Sequence, residues 1–293
     1  MTTIFALTPD QVNKAAETVI KKNPAYADML GFYGRIFVAQ EESTARLQIE
    51  PLQIPDAVLA VKVREKFPLI EVKDFTYDKN ESTSLFATIC RIAKEANPKL
   101  AASAAVLLNA DDRELKPESL ISALLNGNEA IFENIAGKFE VEKQILGLIT
   151  YHSLRPSLCT GAIQLSAYLN KDEPWLKGYC PICGSAPILS ILEGQGARSL
   201  ICSFCWHQWP VKRVYCPFCD NSDDKSLHYI FSEEEEDLRV DLCNKCNKYL
   251  KTIDTRRTDR LIYPPLEQVA TLHLDIKARE EGFEPGIKLF MEE

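Results

Sequence analysis

Four Cys-x-x-Cys pairs carry the most chemistry in this sequence: Cys180/Cys183, Cys202/Cys205, Cys216/Cys219 and Cys243/Cys246. Cysteines three apart let one tight turn present two thiolates to a single ion, with metal–sulfur bonds of about 2.3 Å. Two such turns complete a tetrahedral four-sulfur shell. The residue after the second cysteine of such a knuckle needs a left-handed backbone, which Gly, Asn and Asp tolerate best. Gly184, Asp220 and Asn247 stand there; Trp206 departs from the pattern. One lone pair could be a redox dithiol, but four in succession point to metal, with Cys180, Cys183, Cys202, Cys205, Cys216, Cys219, Cys243 and Cys246 as ligands.

Four pairs can join sequentially, crossed or nested. Sequential joining leaves residues 184–201 and 220–242 as loops, each long enough for a ribbon hairpin, and Gly194-Gln195-Gly196 suits the tip of the first. Residues 206–215 form a shorter connector. The preferred reading is two tandem zinc-ribbon or rubredoxin-like units, one ion each. Tetrahedral sulfur sites suit both zinc and iron, so the metal is either. A region this small and polar has little apolar core, and its ions would supply much of its folding free energy.

The remaining elements must hold these units. With 293 residues the chain has room for about two domains. Hydrophobic residues at 46% and charged residues at 26% exclude wholesale disorder. Thr8, Pro9 and Gln11 form a helix start with a capping box, and Val12, Ala15, Ala16, Val19 and Ile20 share a helical stripe. Leu85, Phe86, Ile89, Cys90 and Ala93 form another stripe, and Leu120, Ala123 and Leu124 begin a third after Pro117. Residues 131–169 read as one or two long helices, interrupted near Arg155-Pro156 because proline disfavours helix in its predecessor. Strand-prone pieces such as 198–201 and 238–242 appear only after Pro174, and a helical stripe of Leu266, Val269, Ala270 and Ile276 follows Pro264-Pro265. The predicted fold is α+β: an α-helical domain (1–172), a first four-cysteine ribbon (173–212), a second (213–255) and a C-terminal helical tail (256–293).

With these residues in view, the chain resembles the FdhE family, the formate dehydrogenase accessory proteins of bacteria. The resemblance rests on Cys180-Pro181-Ile182-Cys183-Gly184-Ser185-Ala186-Pro187 and on Arg198-Ser199-Leu200-Ile201-Cys202-Ser203-Phe204-Cys205. It continues through Trp209, Arg213, Cys216-Pro217-Phe218-Cys219, Cys243-Asn244-Lys245-Cys246 and Tyr249-Leu250-Lys251. The family's third knuckle usually ends in glycine, where this chain has Asp220. The resemblance implies a cytoplasmic maturation factor needed for active formate dehydrogenase. Such a factor binds the catalytic subunit before it is complete or exported, carries zinc or iron on its cysteine pairs and does not itself oxidise formate. A homodimer is compatible with it.

Other residues weigh less. Cys90 and Cys159 read as core packing, because free cysteine behaves as a small hydrophobe. His207 follows Cys205 closely, but four complete pairs leave it no place as a ligand. His273 reads as a packed histidine on the last helical stripe, and His152 and His228 have no partner spacing. Trp206 and Trp209 are expected to cap the first ribbon's core, or else to form an exposed aromatic pair for a client. Glu233–Asp237 reads as a solvated hairpin tip, or as a contact for a basic client segment.

Several function classes are disfavoured. No Gly-x-Ser-x-Gly, Walker loop, His-Glu-x-x-His or dinucleotide fingerprint is present, so a non-enzymatic role is expected. The net charge of -8 argues against a polyanion binder. Between Cys180 and Lys251, eight Lys+Arg face ten Asp+Glu, so no nucleic-acid partner is expected. The N-terminus does not read as a secretory signal, and no apolar run approaches the roughly 20 residues a bilayer needs, so no membrane insertion is expected. The alternative to an assembly factor is a redox protein, through a rubredoxin-like iron couple or an open dithiol.

Overall fold

The structure, a computed structural model, describes residues 7–111, 113–170, 173–231 and 235–287. The chain forms two compact units that do not follow chain order. One gathers residues 7–52 and 72–161; the other joins Gln53–Glu71 to residues 162–287.

The first part of the chain carries helices α1 (Pro9–Lys22), α2 (Ala27–Thr44), α3 (Asp56–Glu65), α4 (Lys79–Lys94), α5 (Pro98–Asn109), α6 (Pro117–Leu125), α7 (Glu129–Phe139) and α8 (Lys143–Leu165). All except α3 and the last turn of α8 belong to the first unit. The capping box is present: Thr8 Oγ1 accepts from the Gln11 N–H, and Gln11 Oε1 accepts from the Thr8 N–H at 2.9 Å. Val12, Ala15, Ala16 and Val19 bury their stripe against α2, where Gly34 lets the backbones approach; a Cβ there would lie 3.1 Å from the Ala16 Cβ. The α4 stripe from Leu85 to Ala93 is buried throughout, as are Leu120, Ala123 and Leu124 of α6.

The expected interruption at Arg155-Pro156 does not occur. Helix α8 runs 23 residues with Pro156 inside it. Proline removes the N–H that would bond the carbonyl of His152. In its place the Gln40 side-chain amide, from α2, donates to that carbonyl at 2.7 Å. Gln40 in turn accepts from Arg155, and both side chains are buried. A side chain 112 residues away supplies what the helix lacks, which local sequence rules do not register.

The second unit is built on one sheet. Strands β1 (Pro187–Glu193), β2 (Ala197–Cys202) and β3 (Gln208–Val211) form an antiparallel meander, as do β4 (Leu227–Phe231), β5 (Leu238–Cys243) and β6 (Lys248–Asp254). The meanders fuse because β1 pairs with β6 in parallel, Leu189 opposite Lys251 through Leu192 opposite Asp254. The order is β3-β2-β1-β6-β5-β4. The first strand of one ribbon thus joins the last strand of the other. Pro210 sits in the edge strand β3, where a missing N–H is tolerated. Gly194 and Gly196, both at positive φ, make the β1–β2 turn.

The last helical stripe is split in two, α9 (Pro264–Ala270) and α10 (Leu272–Glu280). The break at Thr271 turns Ile276 outward, 56% exposed, while Leu266, Ala270, Leu274 and Ala278 stay buried. The helices pack on the sheet, and a short strand β7 (Glu284–Pro285) pairs with the start of β6. Lys251 of β6 donates to Asp275 of α10 at 2.7 Å and to the Gln268 carbonyl at 2.9 Å.

Candidate metal centres

Each hairpin brings its flanking knuckles together. Cys202 ends β2 and Cys243 ends β5, each as the last paired residue of its strand. A turn then returns the chain. The N–H of Cys180, Cys202 and Cys216 donates to the carbonyl five residues on, Ser185, His207 and Asn221, at 2.8–2.9 Å. Closing this turn needs a left-handed residue after the second cysteine. Gly184, Trp206, Asp220 and Asn247 have φ of 77°, 60°, 57° and 55°. Trp206 therefore does not depart from the pattern in conformation, only in residue type. A left-handed backbone costs a side-chain-bearing residue about 1–2 kcal/mol, which the buried indole offsets.

The eight cysteines form two clusters: Cys180, Cys183, Cys202 and Cys205, and Cys216, Cys219, Cys243 and Cys246. The joining is sequential. In the first cluster Sγ–Sγ contacts are 3.5 Å (Cys183–Cys202), 3.6 Å (Cys183–Cys205) and 3.7 Å (Cys180–Cys205). In the second, Cys216–Cys246 and Cys219–Cys243 are each 3.7 Å. A disulfide would need about 2.05 Å. A tetrahedron with metal–sulfur bonds of about 2.3 Å has edges of about 3.8 Å. The sulfur positions fit a tetrahedral ion in each cluster, so two ions could be held.

The surroundings pull the thiols in opposite directions. Hydrogen bonding from the neighbouring cysteines holds Cys183 far below the ordinary thiol range, while burial drives Cys180 and Cys205 well above it. Burial also raises Cys216, and lifts Cys246 to about 11. At Cys243 burial is outweighed by N–H groups of Cys246 and Lys245 and by the Asn221 amide, bringing it to about 7. Cys183 in the first cluster and Cys243 in the second are shifted towards the thiolate, and thiol protons leave when an ion binds. Backbone N–H groups of Phe204 and Cys205 point at the Cys202 sulfur, at 3.3 and 3.4 Å.

His207 is kept neutral by burial, its pKa lowered to about 4, and lies outside the four-sulfur set. Trp206 and Trp209 are both buried, the latter donating to the Lys177 carbonyl at 2.8 Å, so an exposed aromatic pair is not present. Cys90 is fully buried among apolar residues, its thiol pushed up to about 12 by burial. In the acidic run, Glu233 and Glu234 lie outside the described residues. The rest is only partly solvated: Glu236 is exposed, but Asp237 is buried against Arg260 at 2.9 Å and Glu235 meets His273 at 2.7 Å.

Three features escape sequence reading. Arg198, 3% exposed, reaches from β2 to Asp241 of β5 at 2.9 Å and to the carbonyl of Tyr215, directly before the third knuckle, at 2.7 Å. It ties one ribbon to the other; a charged residue inside each strand is the only trace in sequence. Gly178 lies so close to Pro217 that a Cβ would come within 2.0 Å of its carbonyl oxygen. Leu69 and Ile70, after α3, donate to the carbonyls of Pro181 and Ile182 at 2.9 Å, strapping the first knuckle.

Comparison with known proteins settles the family. Residues 179–213 match "FdhE, central domain" and residues 214–291 match "FdhE, C-terminal domain", with the boundary between the two ribbons. The chain belongs to the FdhE family. An FdhE homolog of Aquifex aeolicus is 41% identical over 140 residues, 46% of this chain and 47% of that protein. An FdhE homolog of Citrobacter koseri is 28% identical over 290 residues, 96% of this chain and 87% of that one. The crystal structure of the FdhE protein from Pseudomonas aeruginosa shares the fold: TM-score 0.69 at 20% identity, covering 97% of this chain and 96% of that one. Among the described residues, no helix is long and apolar enough to cross a membrane.

Proposed function

We propose that this FdhE-family chain is a cytoplasmic maturation factor for formate dehydrogenase. It holds one zinc or iron ion on Cys180, Cys183, Cys202 and Cys205 and a second on Cys216, Cys219, Cys243 and Cys246, and binds the enzyme's catalytic subunit. The observation that carries this reading is the pair of sulfur clusters, each with near-tetrahedral edges, on a single sheet within the family's two matched regions.

The ions supply cross-links between knuckles that lie far apart in sequence. The residues do the rest: the left-handed turns aim the sulfurs, N–H groups stabilise them as thiolates, and Arg198 fixes one ribbon against the other. A rigid sheet of this kind suits recognition of a large partner better than turnover, and the chain's own role is read as non-catalytic.

Protein purified without oxygen should contain about two ions per chain by mass spectrometry. It should also capture the formate dehydrogenase catalytic subunit in a pull-down. Unchanged formate dehydrogenase activity in cells lacking the gene would sink the assembly role. A colourless, metal-free protein with eight titratable thiols would sink the metal role.

A further inference from the structure

The two clusters have the same ligands but different surroundings. At the first, Cys180 and Cys202 are 0% exposed, Cys205 1% and Cys183 7%. No residue of its two turns, 180–187 and 202–209, is exposed. The Leu69–Ile70 strap bonds to Pro181 and Ile182, Pro68 lies against Gly184, and Trp206 and Trp209 are buried beside the second turn. At the second cluster Cys216 and Cys243 are buried, but Cys219 and Cys246 are only half-buried. Asp220, Asn244, Lys245 and Asn247 of its turns are exposed. Strand β7, which meets the fourth turn through the Glu284 N–H and the Asn247 carbonyl, is two residues long, and Cys219 and Cys246 remain partly exposed.

We propose that the centres divide the work. Cys180, Cys183, Cys202 and Cys205 form a closed structural centre, and Cys216, Cys219, Cys243 and Cys246 form an exchange centre, open across its Cys219–Cys246 edge to the thiolate of a small thiol. This rests on the metal-binding part of the reading above.

The reason is access. A new ligand could take an ion from either set only by reaching its sulfur shell between two cysteines. At the second centre both residues of that edge are partly exposed. At the first, it is reached only after the strap and knuckle open, and such local opening slows exchange in proportion to its rarity. Were an ion bound there, the incoming thiolate would replace Cys219 or Cys246 as its ligand, and the released sulfur would take a proton from water. No electron changes hands.

The test uses the zinc-loaded full chain, a chromogenic chelator in excess, and glutathione present or absent. One equivalent should leave in a fast phase accelerated by glutathione, and the second at least about tenfold more slowly without response to it. Iodoacetamide labelling of the loaded protein, where the sulfur attacks carbon and iodide leaves, should mark Cys219 and Cys246 before any cysteine of the first centre. A C219S/C246S variant should lose the fast phase and keep one slow ion. Should that variant not fold, the labelling order in the unaltered chain decides. Two equivalents leaving at one rate, or labelling that starts at the first centre, would overturn the division. Failure to bind either zinc or iron would overturn the metal-binding reading with it, so the two failures are distinct.

Discussion

In the helical unit most of the largest fully buried side chains are hydrocarbon: Leu30, Ile36, Ile89, Leu120, Phe132 and Leu146 are all 0% exposed. The ribbon unit also buries Leu189, Ile191 and Leu200, but its interior adds six fully or nearly buried thiols and the charges of Arg198, Lys251, Asp237 and Glu267. Burial of apolar surface stabilises by about 25 cal/mol per Å² without a partner. A buried thiolate or guanidinium stabilises nothing until something neutralises it. The helical unit is therefore held mainly by shape, whereas the ribbon unit depends more on matched charges, with two sulfur clusters that could each take an ion.

The largest consequence concerns metal removal. Chelation under reducing conditions should unfold the ribbon unit and leave the helical one. Structural zinc binding amounts to about 10–16 kcal/mol, as large as the whole stability of an ordinary domain, about 5–15 kcal/mol. Circular dichroism should keep most of its helical signal while near-ultraviolet bands from Trp206 and Trp209 vanish. If those bands survive complete removal, the contrast between the units is wrong.

Within the ribbon unit, backbone contact rather than side-chain packing places the third knuckle. A Gly178→Ala methyl would meet the Pro217 carbonyl oxygen, which has no rotamer to swing away. The expected loss is about 1–3 kcal/mol, with bound metal falling from about two ions per chain towards one. A Gly194→Ala control, where the added methyl meets nothing within 4 Å though the turn's positive φ strains it, should keep both ions.

The parts of this molecule legible in sequence are those fixed by near neighbours. The Thr8–Gln11 box, the α4 stripe and the knuckle spacing all read correctly because each depends on residues within a few positions. What escaped depends on distant partners. Pro156 stays helical because of Gln40, Trp206 takes a glycine's conformation because its ring is buried, and Gln53–Glu71 cluster with the ribbons through bonds to Pro181 and Ile182. Asp237 looked like part of a solvated acidic tip until Arg260, 23 residues on, lay beside it.

The helical unit also buries polar groups, and the Gln40–Arg155 cluster among them sharpens the comparison. Gln40→Leu should cost about 1–3 kcal/mol by leaving the His152 carbonyl unpaired. Pro156→Ala, which restores an N–H at that carbonyl, should reduce the loss in a double-mutant cycle. The same cluster gives a pH signature. Burial, and then the charge of Arg155, lowers His152 to about 3, against about 6.5 when unfolded. Between those values the unfolded chain binds a proton that the fold refuses. Stability of the helical step should fall as pH drops from about 6.5 towards 3, by at most about 1.4 kcal/mol per unit. His152→Gln should flatten that slope when the helical transition is followed in urea between pH 6.5 and 4.5.

The smallest effect comes from backbone conformation alone. Glu140 caps α7 in the left-handed region at φ 53°, with its side chain exposed. Glycine reaches that conformation without a Cβ clash, so Glu140→Gly should stabilise the helical step by about 0.5–1 kcal/mol. The same exchange at Trp206, also left-handed, should go the other way, because deleting a buried indole costs about 3–5 kcal/mol against a relief of only about 1–2 kcal/mol. Opposite signs from one substitution type, read in the two transitions of a single urea titration, would show that each unit's strain is tolerated for a different reason. Equal signs would mean that the Trp206 ring contributes little to holding its knuckle.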